Sequence, residues 1–146
     1  MKSEIPGVEN RKQVLLAGVK IVDTVLVPHG FAFVLEKEGE SSGGYFASGA
    51  YYRGNRKLEL HFRWSLGLVT YHIEEAVLDH ETYMRLLNVY GQNRYPDFPQ
   101  NPKDSFKHLA LDLQNFCSDF LSGEGEQFKR LAADLHKNSQ MFKGLP

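Results

Sequence analysis

YFASGAYYRGNRKLELHFRWSLGLVTYHIE, residues 45–74, alternates oily and polar side chains around two tight-turn signals, Gly54-Asn55 and Leu66-Gly67. A period of two is that of a strand, and short turn signals between such runs mark antiparallel hairpins. A two-residue loop at Gly54-Asn55 pairs Arg53 with Arg56, Tyr51 with Leu58, Gly49 with Leu60, Ala47 with Phe62 and Tyr45 with Trp64. A two-residue loop at Leu66-Gly67 sets Trp64 beside Val69, Phe62 beside Tyr71 and Leu60 beside Ile73. Both hairpins then hold their apolar set on one face, and a slip of one residue in either would turn one strand's set toward water. Ala47 and Gly49 are small, which leaves room on that face for a close helix, either the first or the long third one.

Upstream, Phe31 to Lys37 reads as a strand, and Glu38 to Gly44, EGESSGG, as a turn-rich linker. That linker lacks the GxxxxGK[ST] spacing of a phosphate loop and leads into no helix. Before it, Asn10 caps a helix after a Pro6-Gly7 break. Its apolar positions Val14, Leu15, Gly18, Val19, Val22 and Val25 recur at helical spacing, and Pro28-His29-Gly30 ends it. Downstream, Asp79 caps a short helix carrying Tyr83, Leu86 and Leu87, and Tyr90 to Pro102 is a loop rich in Gly, Asn and Pro. Asn101 caps the next helix, with Pro102 in its first position and Asp104 in its first turn. Its stripe is Phe106, Leu109, Ala110, Leu113, Phe116, Cys117 and Phe120, with Gly123 as the stop, and a last helix carries Phe128, Leu131, Ala132 and Leu135. The expected fold is α+β, one domain over residues 1–146. It has an N-terminal helix, a four-stranded antiparallel β-meander, and three C-terminal helices packed on the sheet.

The chain has the length of one domain, and 42% hydrophobic with 24% charged residues is ordinary globular composition. Its net charge of -1 offers no general attraction to nucleic acid or to an anionic membrane, so neither is expected as a partner. Cys117 is the only cysteine, which excludes an internal disulfide and a Cys-based zinc cluster. MKSEIPGVENRK at the N-terminus lacks the apolar core of a signal peptide, and the apolar runs fall short of the roughly 20 residues that span a bilayer. A cytoplasmic location is the resulting expectation.

The second face of the predicted sheet carries Phe46, Ser48, Ala50 and Tyr52, then Lys57, Glu59, His61 and Arg63, then Thr70, His72 and Glu74. The predicted register sets Ser48, His61 and His72 in one row and opposes Glu59 to Glu74 in the next. Three chemistries fit such residue types. His61, His72, Glu59 and Glu74 are metal-ligand types, although a flat face holds side chains parallel rather than convergent. Ser48 with His61 as base is a nucleophile pair, although no GxSxG elbow surrounds Ser48 and a regular strand gives it no activation. Recognition is the third and preferred reading: Phe46, Tyr52, Glu59, His61, Arg63 and His72 form a mixed aromatic and charged patch of the kind enriched at binding hot spots. Arg94 and Tyr95, in the loop YGQNRYPDFP, join it as candidate binding residues because long structured loops often carry function. No catalytic residue, metal ligand or cofactor is assigned.

FASGAYYRGNRKLELHFRWSLGLVTYH (46–72), followed by HETYMRLL (80–87) and YPDF (95–98), resembles small bacterial immunity proteins encoded beside polymorphic toxins. The likeness lies in overall pattern across about two thirds of the chain and transfers no particular functional residue. It implies a cytosolic protein that binds and blocks a cognate toxin, a protein partner, without catalysis. The alternative from the residues themselves is a small-ligand binder or metal-dependent enzyme using a His61 and His72 row.

Overall fold

The computed structural model describes residues 7–42, 44–97 and 101–143. Five strands follow one another as an antiparallel meander: β1 (Ala32–Ser41), β2 (Gly44–Arg53), β3 (Arg56–Phe62), β4 (Leu66–Ile73) and β5 (Ala76–Asp79). Helix α1 (Gly7–Leu26) precedes them, and α2 (His80–Leu86), α3 (Lys103–Phe116), α4 (Ser118–Leu121) and α5 (Glu126–Lys143) follow. The α+β order is as expected, but the sheet has five strands where the sequence predicted four. The fifth is only four residues long, too short to show a period. Its turn is Glu74-Glu75, with Glu74 at φ 57 in a conformation usually signalled by Gly or Asn.

The first hairpin matches its predicted register from Arg53–Arg56 to Ala47–Phe62, where β3 ends and no Tyr45–Trp64 pair follows. Gly54, at φ 56, supplies the left-handed turn residue. The second hairpin is corrected. Its reversal lies at Arg63–Ser65, where the Arg63 N–H donates to the Ser65 carbonyl at 3.2 Å, and not at Leu66-Gly67. Leu60 therefore pairs with Val69 and Leu58 with Tyr71, four residues from the expected register. Gly67 is part of a bulge: Leu66 and Val69 both face inward, opposite Phe62 and Leu60. Because a shift of four is even, every β4 side chain keeps its predicted face.

β1 runs on to Ser41 past the expected end at Lys37, so most of the supposed linker is strand. A bulge at Glu36 lets Leu35 pair with Gly49 and Lys37 with Ser48. In α1 the helix is already formed at Gly7, so Asn10 lies inside it and is not its cap; Pro6 lies outside the described residues. Asp79 caps α2 as expected, accepting from the Thr82 N–H at 2.9 Å, and Asn101 Oδ1 accepts from the Lys103 N–H at 3.0 Å. The long third helix bends at Cys117 before reaching Gly123. Helical bonds from Cys117 N–H to Leu113 and from Leu121 N–H to Cys117 continue through the bend into α4.

The helices gather over the inner face because the oily side chains are there. Tyr51 of β2 donates to Asp23 Oδ1 at 2.6 Å, with the Val19 carbonyl 3.0 Å away, which fixes α1 across the sheet. Phe62 stacks on Phe106 of α3, and Tyr71 meets Phe120 and Tyr83 edge-on at 4.9 and 5.0 Å. Arg56, although charged, also points inward: its guanidinium donates to the carbonyls of Asp119, Phe120 and Gly123 at the end of α4. Helix α5 flanks the β5 edge. Among the described residues, no helix is long and apolar enough to cross a membrane.

Helix α1 lies over β2 as the small residues there suggested, although a Cβ on Gly49 would meet the Val34 carbonyl and the Phe33 ring, and the tight glycine contact between helices is that of α1 with α3. A Cβ on Gly18 would sit 2.3 Å from Phe106 Cδ2. In an exposed helix Gly→Ala gains about 1 kcal/mol, whereas overpacking a core costs about 1–3 kcal/mol. Gly18→Ala is therefore expected to lower the urea midpoint, with partial recovery in combination with Phe106→Leu. A stabilised Gly18→Ala would show that the contact yields freely.

Candidate functional site

On the outer face the strands present their side chains in cross-strand rows. One row is Ala32, Tyr52, Lys57, His72 and Val77, and the next is Val34, Ala50, Glu59, Thr70 and Asp79. A third is Lys37, Ser48 and His61, beyond which Phe46 stands beside Gly39. Six of the eight residues singled out from the sequence, Phe46, Tyr52, Glu59, His61, Arg63 and His72, thus lie on this one face, which α5 borders at the β5 side, where Leu135 stands near Thr70 and Val77.

Two clusters divide the face. In the first, the Tyr52 hydroxyl donates to Glu36, which the β1 bulge turns toward it, and Lys57 lies 5.6 Å from the Tyr52 ring centroid. Lys57 Nζ is 3.6 Å from Glu59, whose other oxygen is 2.5 Å from His72 Nε2. In the second, His61 stacks on Phe46 with centroids 5.4 Å apart and planes 19° from parallel, and the Arg63 guanidinium lies 5.5 Å from the same ring. Arg63 is held there by the Gly44 carbonyl at 2.6 Å and Ser41 Oγ at 3.0 Å, acceptors in the β1–β2 turn. Between the clusters lies a shallow concavity of about 570 Å³, bordered by Lys37, Phe46, Ser48, His61, Arg63 and Leu68 among others.

Two expected juxtapositions fail for one reason, the four-residue shift of β4. His72 stands opposite Lys57 and not in the row of Ser48 and His61, and Glu59 faces Thr70 while Glu74 sits in the β4–β5 turn, 2.7 Å from Lys129. The His61 and His72 row proposed for a metal-dependent enzyme or ligand binder is therefore not formed. Among the described residues no three His, Cys, Asp or Glu side chains are gathered closely enough to hold a metal ion. Ser48 does face His61 across β2 and β3, but no hydrogen bond joins them among the described residues, and His61 has no carboxylate to orient it.

Arg94 and Tyr95 are not part of this face. Arg94 is exposed in the loop, whereas Tyr95 is 3% exposed and serves as the loop's anchor, its hydroxyl donating to the Gly67 carbonyl. The aromatic beside proline here pins a loop, and Tyr95 leaves little surface for a partner to touch. The backbone of the same loop is held by Asp112 of α3: Oδ1 accepts from the Arg94 N–H at 2.7 Å and Oδ2 from the Tyr95 N–H at 2.9 Å. Asp112 Oδ2 also lies 2.9 Å from His80 Nε2, and His80 Nδ1 lies 2.7 Å from the Tyr71 hydroxyl, with Cys117 Sγ 3.7 Å further on. One set of proton positions satisfies the whole chain: thiol to phenol, phenol to imidazole, imidazole to carboxylate. Burial pushes the Cys117 thiol up to about 12, so the sulfur is a structural neighbour and not a nucleophile. Neither His80 nor Asp112 was among the residues expected to matter. The available signal was Asp112 itself, a carboxylate between Leu109 and Leu113 on the apolar stripe of α3.

Comparison with protein-family models, curated proteins and solved structures finds no match for this chain.

Two outcomes follow from this geometry. Asp112→Ala leaves the His80 ring N–H and the Arg94 and Tyr95 backbone N–H groups without their acceptor, and a buried unsatisfied donor costs about 1–3 kcal/mol, so the variant should lose at least about 2 kcal/mol in denaturant unfolding and free the 90–97 loop to proteolysis. A loss below about 1 kcal/mol would mean the carboxylate does not hold the loop. His61 is partly buried and faces Arg63, and both disfavour its charged form. In an NMR titration His61 should protonate below the ordinary imidazole range, and Arg63→Ala should move its midpoint upward.

Proposed function

We propose that the protein is a non-catalytic binding protein of the immunity type, which blocks a cognate toxin through the outer face of its sheet. The observation that carries this reading is the Phe46, His61 and Arg63 stack, held half-exposed on the outer face. Aromatic and arginine side chains dominate interface energetics when a partner desolvates them. Here their rotamers are already restrained by stacking and by the Gly44 and Ser41 acceptors, which lowers the ordering cost of about 0.5–1.5 kcal/mol per side chain on association. The side chains also stand parallel along the rows, an arrangement suited to a broad contact and poorly suited to surrounding a reacting atom.

Size adds a requirement. The five strands hold 39 residues, and at about 3.3 Å per residue and about 4.8 Å between strands they give a footprint of roughly 600 Å², short of the roughly 800 Å² a stable partner covers. The contact must extend over a rim, and the rim is apolar at the end where the β1–β2 and β3–β4 hairpins turn. Trp64 and Leu68 are each 66% exposed there, and Arg11 of α1 lies 4.3 Å from the centroid of the Trp64 ring. Exposed apolar groups beside a polar face are a common mark of an interaction surface.

The test uses the product of the gene adjacent to this one as candidate toxin, with growth rescue on co-expression and calorimetry on the purified pair. Arg63→Glu and Tyr52→Ala should each weaken binding at least about tenfold while melting stays close to that of the parent. Equal binding by parent and both variants would show that the partner docks elsewhere, and absence of any interaction would remove the toxin-blocking role.

A further inference from the structure

Within the outer face the charges are not evenly satisfied. Both carboxylates bordering the concavity are engaged, Glu36 by the Tyr52 hydroxyl and Glu59 by Lys57 and His72. Its cations are not: Lys37 and Arg63 have no acidic partner among the described residues, and Arg63 reaches only a carbonyl and a hydroxyl. Ser48 stands between Lys37 and His61 in one row, with its hydroxyl and the His61 ring nitrogens making no hydrogen bond among the described residues. Neighbouring strands lie about 4.8 Å apart, so the Lys37 and His61 backbones are roughly 10 Å apart with the Ser48 hydroxyl in the middle. The Phe46 ring and the exposed Leu68 close the ends of the same hollow.

Resting on the binding role just proposed, we infer that this hollow receives an Asp or Glu side chain of the partner protein, with an apolar or aromatic neighbour of that residue settling on Phe46 and Leu68. A carboxylate over Ser48 has two cations, a hydroxyl and an imidazole on the bordering side chains, while the two bordering carboxylates are hydrogen-bonded to Tyr52 and His72. A charged group entering such a site replaces water with fixed donors, and the flanking Phe46 and Leu68 side chains limit its exposure. The neutral-to-acidic overall charge and a site of only two cations match one carboxylate and not a phosphate backbone.

The test selects peptides from a random display library on the immobilised full-length protein, then measures one selected peptide by fluorescence anisotropy. Enriched sequences are expected to carry Asp or Glu next to an aromatic or aliphatic residue. Converting that acid to its amide, or Lys37→Glu in the protein, should weaken binding about tenfold or more, whereas Lys20→Glu on the opposite layer should change it less than about twofold. Lys37→Glu breaks no contact of the fold, so its effect is not confounded by unfolding. Peptides that lose binding on Phe46→Ala but contain no acid, or ignore Lys37→Glu, overturn this inference and leave the binding face standing. Binders indifferent to Phe46→Ala, or no binders at all, count against the face as a whole. Displacement of the peptide by a short single-stranded DNA would overturn the assignment of the anion to a protein side chain.

Discussion

Strand β3 is hydrogen-bonded on both sides, so its alternation of side chains constrains two hairpins at once. Its inward set, Arg56, Leu58, Leu60 and Phe62, is dry, and its outward set, Lys57, Glu59 and His61, is half in water. Turning it over would bury three ionisable groups and expose three large apolar ones, a difference of several kcal/mol from the apolar side chains alone. Once β3 faces one way, β2 and β4 must follow, because their neighbours in each row share a face. The helices then collect over the inner side, where the apolar area is, and the outer face is what remains to the solvent.

That hierarchy explains which features could be read from residue types. The first hairpin is local: Gly54 alone sets the turn, and the pairing follows outward from it. In the second, a glycine again stood next to a strand, but Gly67 serves a bulge and the turn falls on Arg-Trp-Ser, which has no Gly, Pro or Asn and only Ser65 as a turn former. The face of each β4 residue survives because the error was even, while its neighbours do not, which is why six candidate residues share a face although the His61 and His72 row is absent. Polar residues whose partners lie far along the chain were least legible. His80 and Asp112 are 32 positions apart, and no local pattern marks their pairing.

The two polar systems of the molecule differ in environment and so in what they do. Tyr71, His80 and Asp112 are dry, every polar atom of the chain has a partner, and breaking it exposes a buried charge to an apolar setting. Lys57, Glu59 and His72 are partly in water, where an ion pair contributes about 0–1 kcal/mol. Their contribution is positional: they hold long side chains along a row and consume one of the hollow's two carboxylates.

Positioning of this kind matters because a surface group attracts a partner only with the charge its neighbours leave over. Had Glu36 or Glu59 pointed toward Ser48, Lys37 and Arg63 would each have an internal partner, and the hollow would be electrically closed. Instead the bulge at Glu36 aims one carboxylate at Tyr52, and the diagonal from Glu59 to His72 draws the other away. The bulge thus has two effects from a single inserted residue. It turns the Glu36 carboxylate toward Tyr52 and puts Lys37 into the row of Ser48 and His61, so the irregularity in β1 decides which charged groups stand beside Ser48.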